Sequence, residues 1–410
     1  MLAPASYIRG MHRRSLSIVL FAIALAACRA PVRVASAPLV LPAAFADSVH
    51  TTAVAPGARL HRLVNIKAPW RTFVLEVDLT CSTLRALKGS RTAVGRTTTS
   101  QLLASVPADR GAIAAINADF FLFAPPGVPT NLHVEDGVLL AGPGPKPVVY
   151  ATAARVHIDS VTVAGRVSMG ATGVGVQLWN RPAPGRVGLV DARWGVPLDT
   201  TVRKLVWRLE PAGAATKRTA GSPSGLDGRY VVRARRAGDT LVFGDTLLLH
   251  QSARGNTATL ALRDGDTVHV QLGLAVRQQL VGITDAVGGR PIVLADSVIT
   301  PDVDTEGNEG FRNLNPRSAI GFDRAGTRAW LAVIDGRQPG VSMGMTLRQV
   351  GALMQALGAT RALNLDGGGS SALALRDPQS GAVSVVNSPS DKTERPVGNA
   401  LGVLSTCRNR

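Results

Sequence analysis

Arg361-Ala362-Leu363-Asn364-Leu365-Asp366-Gly367-Gly368-Gly369-Ser370-Ser371-Ala372-Leu373-Ala374-Leu375 is an apolar run that ends in one carboxylate, followed by three glycines, two hydroxyls and a second apolar run. The pattern predicts a strand, a tight loop and a strand, with Asp366 at the end of the first. Three successive glycines remove every Cβ from the loop, so its backbone can take φ > 0 and approach a ligand closely. Their N–H groups can form an anion-binding nest, with Ser370 and Ser371 as further donors. An ordinary hairpin, with Asp366 as a turn residue, would not need three glycines. The stretch is not a P-loop, because the Gly-Lys-Ser/Thr ending is missing.

The 410 residues are long enough for one large core or two domains. A hydrophobic share of 45% with 18% charged residues is that of a globular chain. With 43 Gly and 25 Pro, many turns and a β-rich body are expected. The formal charge is +17, yet the arginines are scattered and aromatics make up only 4%, too few for a base-stacking surface. No nucleic-acid partner is therefore expected, and the charge suits anionic envelope polymers or phosphorylated glycans.

Residues 1–28 read as a lipoprotein-type signal peptide. Arg9, Arg13 and Arg14 precede an apolar run over residues 15–27, which ends Leu25-Ala26-Ala27-Cys28. Lipidation at Cys28 would place the protein in the cell envelope, exported and anchored to a membrane by its lipid. Residues 29–58 read as a flexible tether and 59–408 as the folded domain. Within it, residues 150–280 are short alternating runs split by Gly turns, a β-rich insertion or subdomain. Arg263-Asp264-Gly265-Asp266 reads as a hairpin connection there. Cys81 and Cys407 are an even pair in an exported chain, and a disulfide between them is the expectation.

Elsewhere the local signals are short. Residues 70–79 alternate, with Phe73, Leu75, Val77 and Leu79 on one face. A short helix is expected over 98–106, capped by Thr99 or Ser100. The apolar run Ala112-Ile113-Ala114-Ala115-Ile116 delivers Asn117, Asp119 and two phenylalanines that could wall a pocket. Thr346 with Gln349 forms a capping box, and Leu347, Val350, Met354 and Leu357 mark the buried stripe of a second helix ended by Gly358. Asp302, Asp304, Glu306 and Gly307 look like the start of a calcium loop, but Asn313 stands where a bidentate Glu is needed. A solvated acidic loop is the expectation, with no cofactor.

Five ordered motifs carry a resemblance. Asn-Ala-Asp-Phe-Phe at 117–121, Asn-Pro-Arg at 315–317, Asp-Gly-Arg at 335–337, Leu-Asp-Gly-Gly-Gly-Ser-Ser at 365–371 and Glu-Arg-Pro-Val at 394–397 resemble the phosphodiester glycosidase family. The resemblance covers residues 60–150 and 280–405. It implies an α/β (α+β) fold: a mixed β-sheet core with few helices, plus the β-rich inserted region. It also implies a hydrolase acting on a sugar-1-phosphodiester or a related glycosidic bond, with a carbohydrate or glycan-phosphate as substrate.

On that resemblance, Asp366 and Asp119 are expected nearest the anomeric carbon or the sugar hydroxyls, Glu394 is the leading general acid/base, and Asp335 is a further catalytic candidate. Arg317, Arg337 and Arg395 are expected to hold the anionic part, with Asn117, Gly367, Gly368, Gly369, Ser370 and Ser371 completing the binding set. A non-catalytic glycan-binding lipoprotein, a hydrolase of ordinary exopolysaccharide linkages and a phosphodiesterase cutting P–O remain alternatives. A Ser-His-Asp esterase is disfavoured because no Gly-x-Ser-x-Gly elbow is present.

Overall fold

The strand Trp70–Asp78 sets the layering. Its even positions Trp70 and Val74 pack into one core, and its odd positions Phe73, Leu75 and Val77 into another. A strand apolar on both faces must be covered on both. The computed structural model describes residues 39–144, 146–181, 186–196, 205–213, 225–234, 246–251 and 260–407. Cys28, with the rest of the expected signal segment, lies outside them.

Trp70–Asp78 lies inside an eight-stranded antiparallel sheet, together with Arg317–Phe322, Arg328–Ile334 and Arg361–Asn364. The helix Leu347–Leu357 covers one face, where Val350, Leu353 and Met354 meet Val74, Trp330 and Ala332. Its Thr346 and Gln349 form the expected capping box, and Gly358 closes it in the left-handed conformation. The other face packs on a five-stranded sheet containing Ser82–Leu87, Ala112–Asn117, Leu373–Arg376 and Ala400–Ser405. The outer face of this second sheet is covered by the helix Thr99–Ser105, through Leu102 and Leu103. The order of layers is therefore helix, sheet, sheet, helix.

The described strands between residues 162 and 280 build a nine-stranded sheet. Its core runs into another five-stranded sheet through Leu132, Val134, Tyr150 and Ile283, so the inserted region shares a core with the body. The turn at 263–266 is present but does not join a hairpin: the strand after it, Thr267–Val276, pairs with Leu226–Arg233 and Thr162–Met169.

Three expectations are corrected. The fold is mainly β rather than α/β, with 46% of the described residues in strands and 11% in helices, while the strand-rich body with few helices is as expected. Parallel strands need long crossovers, usually helical, and among the described residues only two helices exceed four residues and only the short pair Leu178–Trp179 with Gly188–Val190 is parallel. The tether is shorter than its composition suggested, because Ser48–Ala55 is an edge strand on Ala58–Asn65. The first helix is capped by Thr98, which bonds Gln101 N–H, rather than by Thr99 or Ser100.

Cys81 and Cys407 form the expected disulfide, with Cα atoms 5.0 Å apart across 326 residues of sequence. It ties the turn after the strand Trp70–Asp78 to the end of the last strand, Ala400–Ser405. Closing so long a loop restricts the unfolded chain by up to about 5 kcal/mol in the chain-entropy model. Thiol reduction, or Cys81→Ser with Cys407→Ser, is expected to lower the thermal midpoint by many degrees, read by calorimetry. An unchanged midpoint would remove the bridge from the account of stability.

Candidate active site

The strand–glycine–strand stretch is not a hairpin. Arg361–Asn364 belongs to the first sheet and Leu373–Arg376 to the second, so residues 365–372 cross from one sheet to the other. Asn117, the last residue of the strand Ala112–Asn117, holds this crossing. Its Nδ2 donates to the Asp366 carbonyl (2.6 Å), and its Oδ1 accepts from Ser318 Oγ (2.6 Å) and Ala372 N–H (3.1 Å). The amide is fully buried and joins both sheets and the loop.

The glycines are explained by their neighbours. A Cβ on Gly367 would sit 2.7 Å from the Pro316 carbonyl oxygen, one on Gly368 would sit 3.1 Å from Arg337 Nη1, and one on Gly369 would collide with Arg395 and Asp391. Gly368 also has φ +62°, which disfavours any side chain.

A cleft of about 580 Å³ opens over this loop. Asp366, Gly367 and Gly368 form one wall, and Arg290, Arg317, Arg337 and Arg395 surround it with Phe120 and Phe311. Asp366 is the one carboxylate in that lining. Burial pushes it up to about 6, against the Ser370 side chain, the Gly367 N–H and the charges of Arg395 and Arg290.

The four guanidiniums differ in their partners. Arg290 bonds Glu306 (2.7 Å), and Arg395 bonds Asp391 (2.9 Å), so each has an acid. Arg317 donates only to main-chain carbonyls, those of Met345 (2.9 Å), Phe311 (2.6 Å) and Asn313 (2.7 Å). Burial, and Arg337 beside it, pull Arg317 down to about 10, still cationic at neutral pH. Arg337 donates to the Asn315 side-chain oxygen (2.9 Å). Arg290 stacks on Phe120 (4.9 Å) and Phe311 (5.3 Å), and Arg317 on Phe311 (5.5 Å). Among the described residues, the cleft thus holds two guanidiniums without an acid partner, facing one carboxylate.

Three of the four catalytic candidates lie off this lining. Asp119 is buried, with its carboxylate taken by Asn131 N–H (2.7 Å), Asn131 Nδ2 (3.0 Å) and Thr130 Oγ1 (3.1 Å). Burial lifts it to about 7, and it fastens the 130–131 loop. Asp335 is lifted by burial to about 6 and accepts from Asn387 Nδ2 (3.1 Å) and Ser388 N–H (3.0 Å), fixing the 387–388 segment. Glu394 accepts from Ser100 N–H (2.8 Å) and Ser100 Oγ, and so anchors the start of the helix Thr99–Ser105. A carboxylate at a strand end serves equally well as a loop clamp, and the sequence does not say which way it points.

Of the binding candidates, Arg317, Arg337, Arg395, Gly367 and Gly368 line the cleft, whereas Gly369, Ser370 and Ser371 are buried in the loop beneath it. Arg290, Asn308 and Phe311 line it and were not singled out from the sequence, and Asn315, quoted only within the Asn-Pro-Arg motif, lines it too. The acids suggested for calcium are held by bases, Glu306 by Lys146 and Arg290 and Asp304 by Arg348. Asp302 and Asp304 lie in the short helix Asp302–Thr305 rather than in a calcium loop.

A family model described as phosphodiester glycosidase matches residues 221–404. That span takes in the Asn-Pro-Arg, Asp-Gly-Arg, glycine-loop and Glu-Arg-Pro motifs; the Asn117 motif lies before it. No curated protein matches the chain. A hypothetical protein from Synechocystis superposes with a TM-score of 0.68 at 20% identity, over 88% of this chain and 64% of its own. The chain therefore spans less than two thirds of that protein. A Burkholderia pseudomallei chain described as an exported protein has a TM-score of 0.59 at 23% identity, covering 82% of this chain and 74% of its own. Both share the fold. The zebrafish N-acetylglucosamine-1-phosphodiester alpha-N-acetylglucosaminidase catalytic domain, auto-inhibited by its pro-peptide, has a TM-score of 0.43 at 15% identity, over 90% of this chain and 85% of its own.

Asn117 acts through the loop without lining the cleft. Asn117→Ala leaves the Ser318 hydroxyl and the Ala372 N–H to find new partners, at about 1–3 kcal/mol for each buried group left unpaired. The expected outcome is a clear fall in thermal midpoint together with loss of turnover. A variant as stable and active as wild type would contradict the positioning role.

Proposed function

We propose, from the match of a phosphodiester glycosidase family model to residues 221–404 and from the cleft, that the protein is a hydrolase that cleaves the bond between an anomeric carbon and phosphate in a sugar-1-phosphodiester. What carries the reading is the cleft's balance of one carboxylate against guanidiniums. An ordinary glycosidase flanks the sugar with two carboxyl groups, one of which protonates the departing alcohol. Among the described residues no second carboxyl lines this cleft. A phosphate monoester leaves without full protonation, because its second pKa is near 6. The charges also balance: Arg317 and Arg337, without acid partners, face ionised Asp366 and would meet the single negative charge of a phosphodiester.

In this reading Arg317 and Arg337 take the phosphate oxygens and stabilise the charge that builds on them as the C–O bond breaks. Asp366, ionised above about pH 6, supports the positive character at the anomeric carbon. Water supplies the oxygen that ends on the sugar, and its proton balance closes on Asp366 and solvent. Phe120 and Phe311 give the sugar an apolar wall. The substrate would be an envelope or extracellular glycan. Export and lipidation at Cys28 are part of the proposal, motivated by the basic start and Leu25-Ala26-Ala27-Cys28.

The test compares leaving groups on one sugar. A sugar-1-phosphodiester and a 4-nitrophenyl glycoside are expected to turn over. The methyl glycoside should be slower by about 10²–10⁴-fold, the contribution of the missing general acid. Asp366→Asn should cost on the order of a thousandfold in kcat with little change in thermal midpoint. In the wild type, kcat/KM should rise as pH passes about 6, because the raised pKa keeps Asp366 neutral below it. Comparable turnover of the methyl glycoside would sink the single-carboxylate reading.

A further inference from the structure

A second cleft, of about 280 Å³, lies beside the strand Ser82–Leu87 and the end of the helix Thr99–Ser105. It shares no residue with the first. Its cations outnumber its acids: Arg85, Lys88, Arg91 and Arg110 against Glu135 and Asp136. Arg85 is engaged by Asp136 and by Asp285. Lys88 is buried, and its Nζ spends all three donors on the carbonyls of Gly95 (3.0 Å), Gly127 (3.1 Å) and Gly398 (2.7 Å). It contributes charge without a free proton to donate. Arg91 and Arg110, exposed at the rim, have no acid partner among the described residues.

Behind the cleft lies an unfinished polar pair. His133 is fully buried, and its Nδ1 accepts from Asn399 Nδ2 (3.0 Å), which leaves the ring proton on Nε2. That Nε2 has no partner, and neither does the buried Glu135 Oε2 that stands 3.9 Å away, too far for a hydrogen bond. Both atoms are sealed from solvent, so this pair lies behind the cleft wall, and Glu135 alone of the two residues reaches the cleft. The cleft therefore offers the Glu135 carboxylate as an acceptor and, among the described residues, two guanidiniums without an acid partner at the rim, in a space suited to one small polar ring.

We propose that this second cleft is a binding subsite for a sugar residue bearing one acid group, a carboxylate or a phosphate, apart from the site of cleavage. Arg91 and Arg110 hold the acid group and Glu135 accepts from a ring hydroxyl. Such a subsite would retain a charged glycan on the protein without touching the bond being cut. The inference rests on different residues from the glycosidase reading and stands or falls separately from it.

Glucuronate, glucose 6-phosphate and glucose are titrated into the folded protein by calorimetry or ligand-observed NMR. At least one acid sugar is expected to bind about tenfold or more tightly than glucose, and the tighter of the two identifies the acid group. Arg91→Ala with Arg110→Ala should weaken that binding by about tenfold or more, with turnover in the first cleft unchanged. Glu135→Gln should weaken glucose and acid sugars alike. The proposal is overturned if neither acid sugar saturates the wild type at millimolar concentration, if glucose binds equally well, or if the double variant binds as the wild type does. Because Arg91 and Arg110 are exposed, the double variant keeps the test decisive should Glu135→Gln fold poorly.

Discussion

One buried amide organises this end of the molecule. Asn117 closes the strand Ala112–Asn117 and spends its side chain on three partners: the carbonyl of Asp366, the hydroxyl of Ser318 and the N–H of Ala372. Ser318 belongs to the first sheet and Asn117 to the second. The chain between them must turn from one sheet into the other within residues 365–372. An apolar residue at 117 would leave that crossing without partners for its polar groups, at a cost comparable to a large part of a domain's net stability. The Asp366 carboxylate projects from this fixed backbone, so its direction follows from the packing of two sheets.

The arginines then give the cleft its sign. A buried guanidinium is costly unless its donors are satisfied. Arg317 meets that condition with three main-chain carbonyls, which satisfy donors while leaving the positive charge uncompensated. Arg337 leans on a neutral amide oxygen, and its guanidinium lies where a Gly368 side chain would be. The bare loop thus serves the protein's own arginine as well as any ligand. Phe311 lies under both Arg290 and Arg317 and fixes their planes.

Much of this was legible in the sequence where local chemistry decides it. The three glycines announced a crowded backbone, Thr346 with Gln349 announced a helix start, and the odd positions of 73–77 announced a buried face. Strand-end carboxylates were legible as strand ends only. Asp119 and Asp335 end strands as Asp366 does, but their oxygens turn toward loop N–H groups that no spacing rule places nearby. Glu394 follows the same logic at a helix start almost three hundred residues distant in sequence. Arg290 was missed because its role depends on Phe120 and Phe311 closing over it from distant segments. The expected strand-rich body with few helices is present, but its sheets are mainly antiparallel, because strand direction depends on connections that no local pattern in the sequence reports.

The central claim is that the cleft holds a phosphodiester by its charge and breaks it on the sugar side. Hydrolysis of a sugar-1-phosphodiester in oxygen-18 water, followed by mass analysis of both products, tests this most directly. The account predicts the label in the sugar, at the anomeric hydroxyl, and an unlabelled phosphate monoester. Label in the phosphate would mean that the P–O bond is cut, and would contradict it.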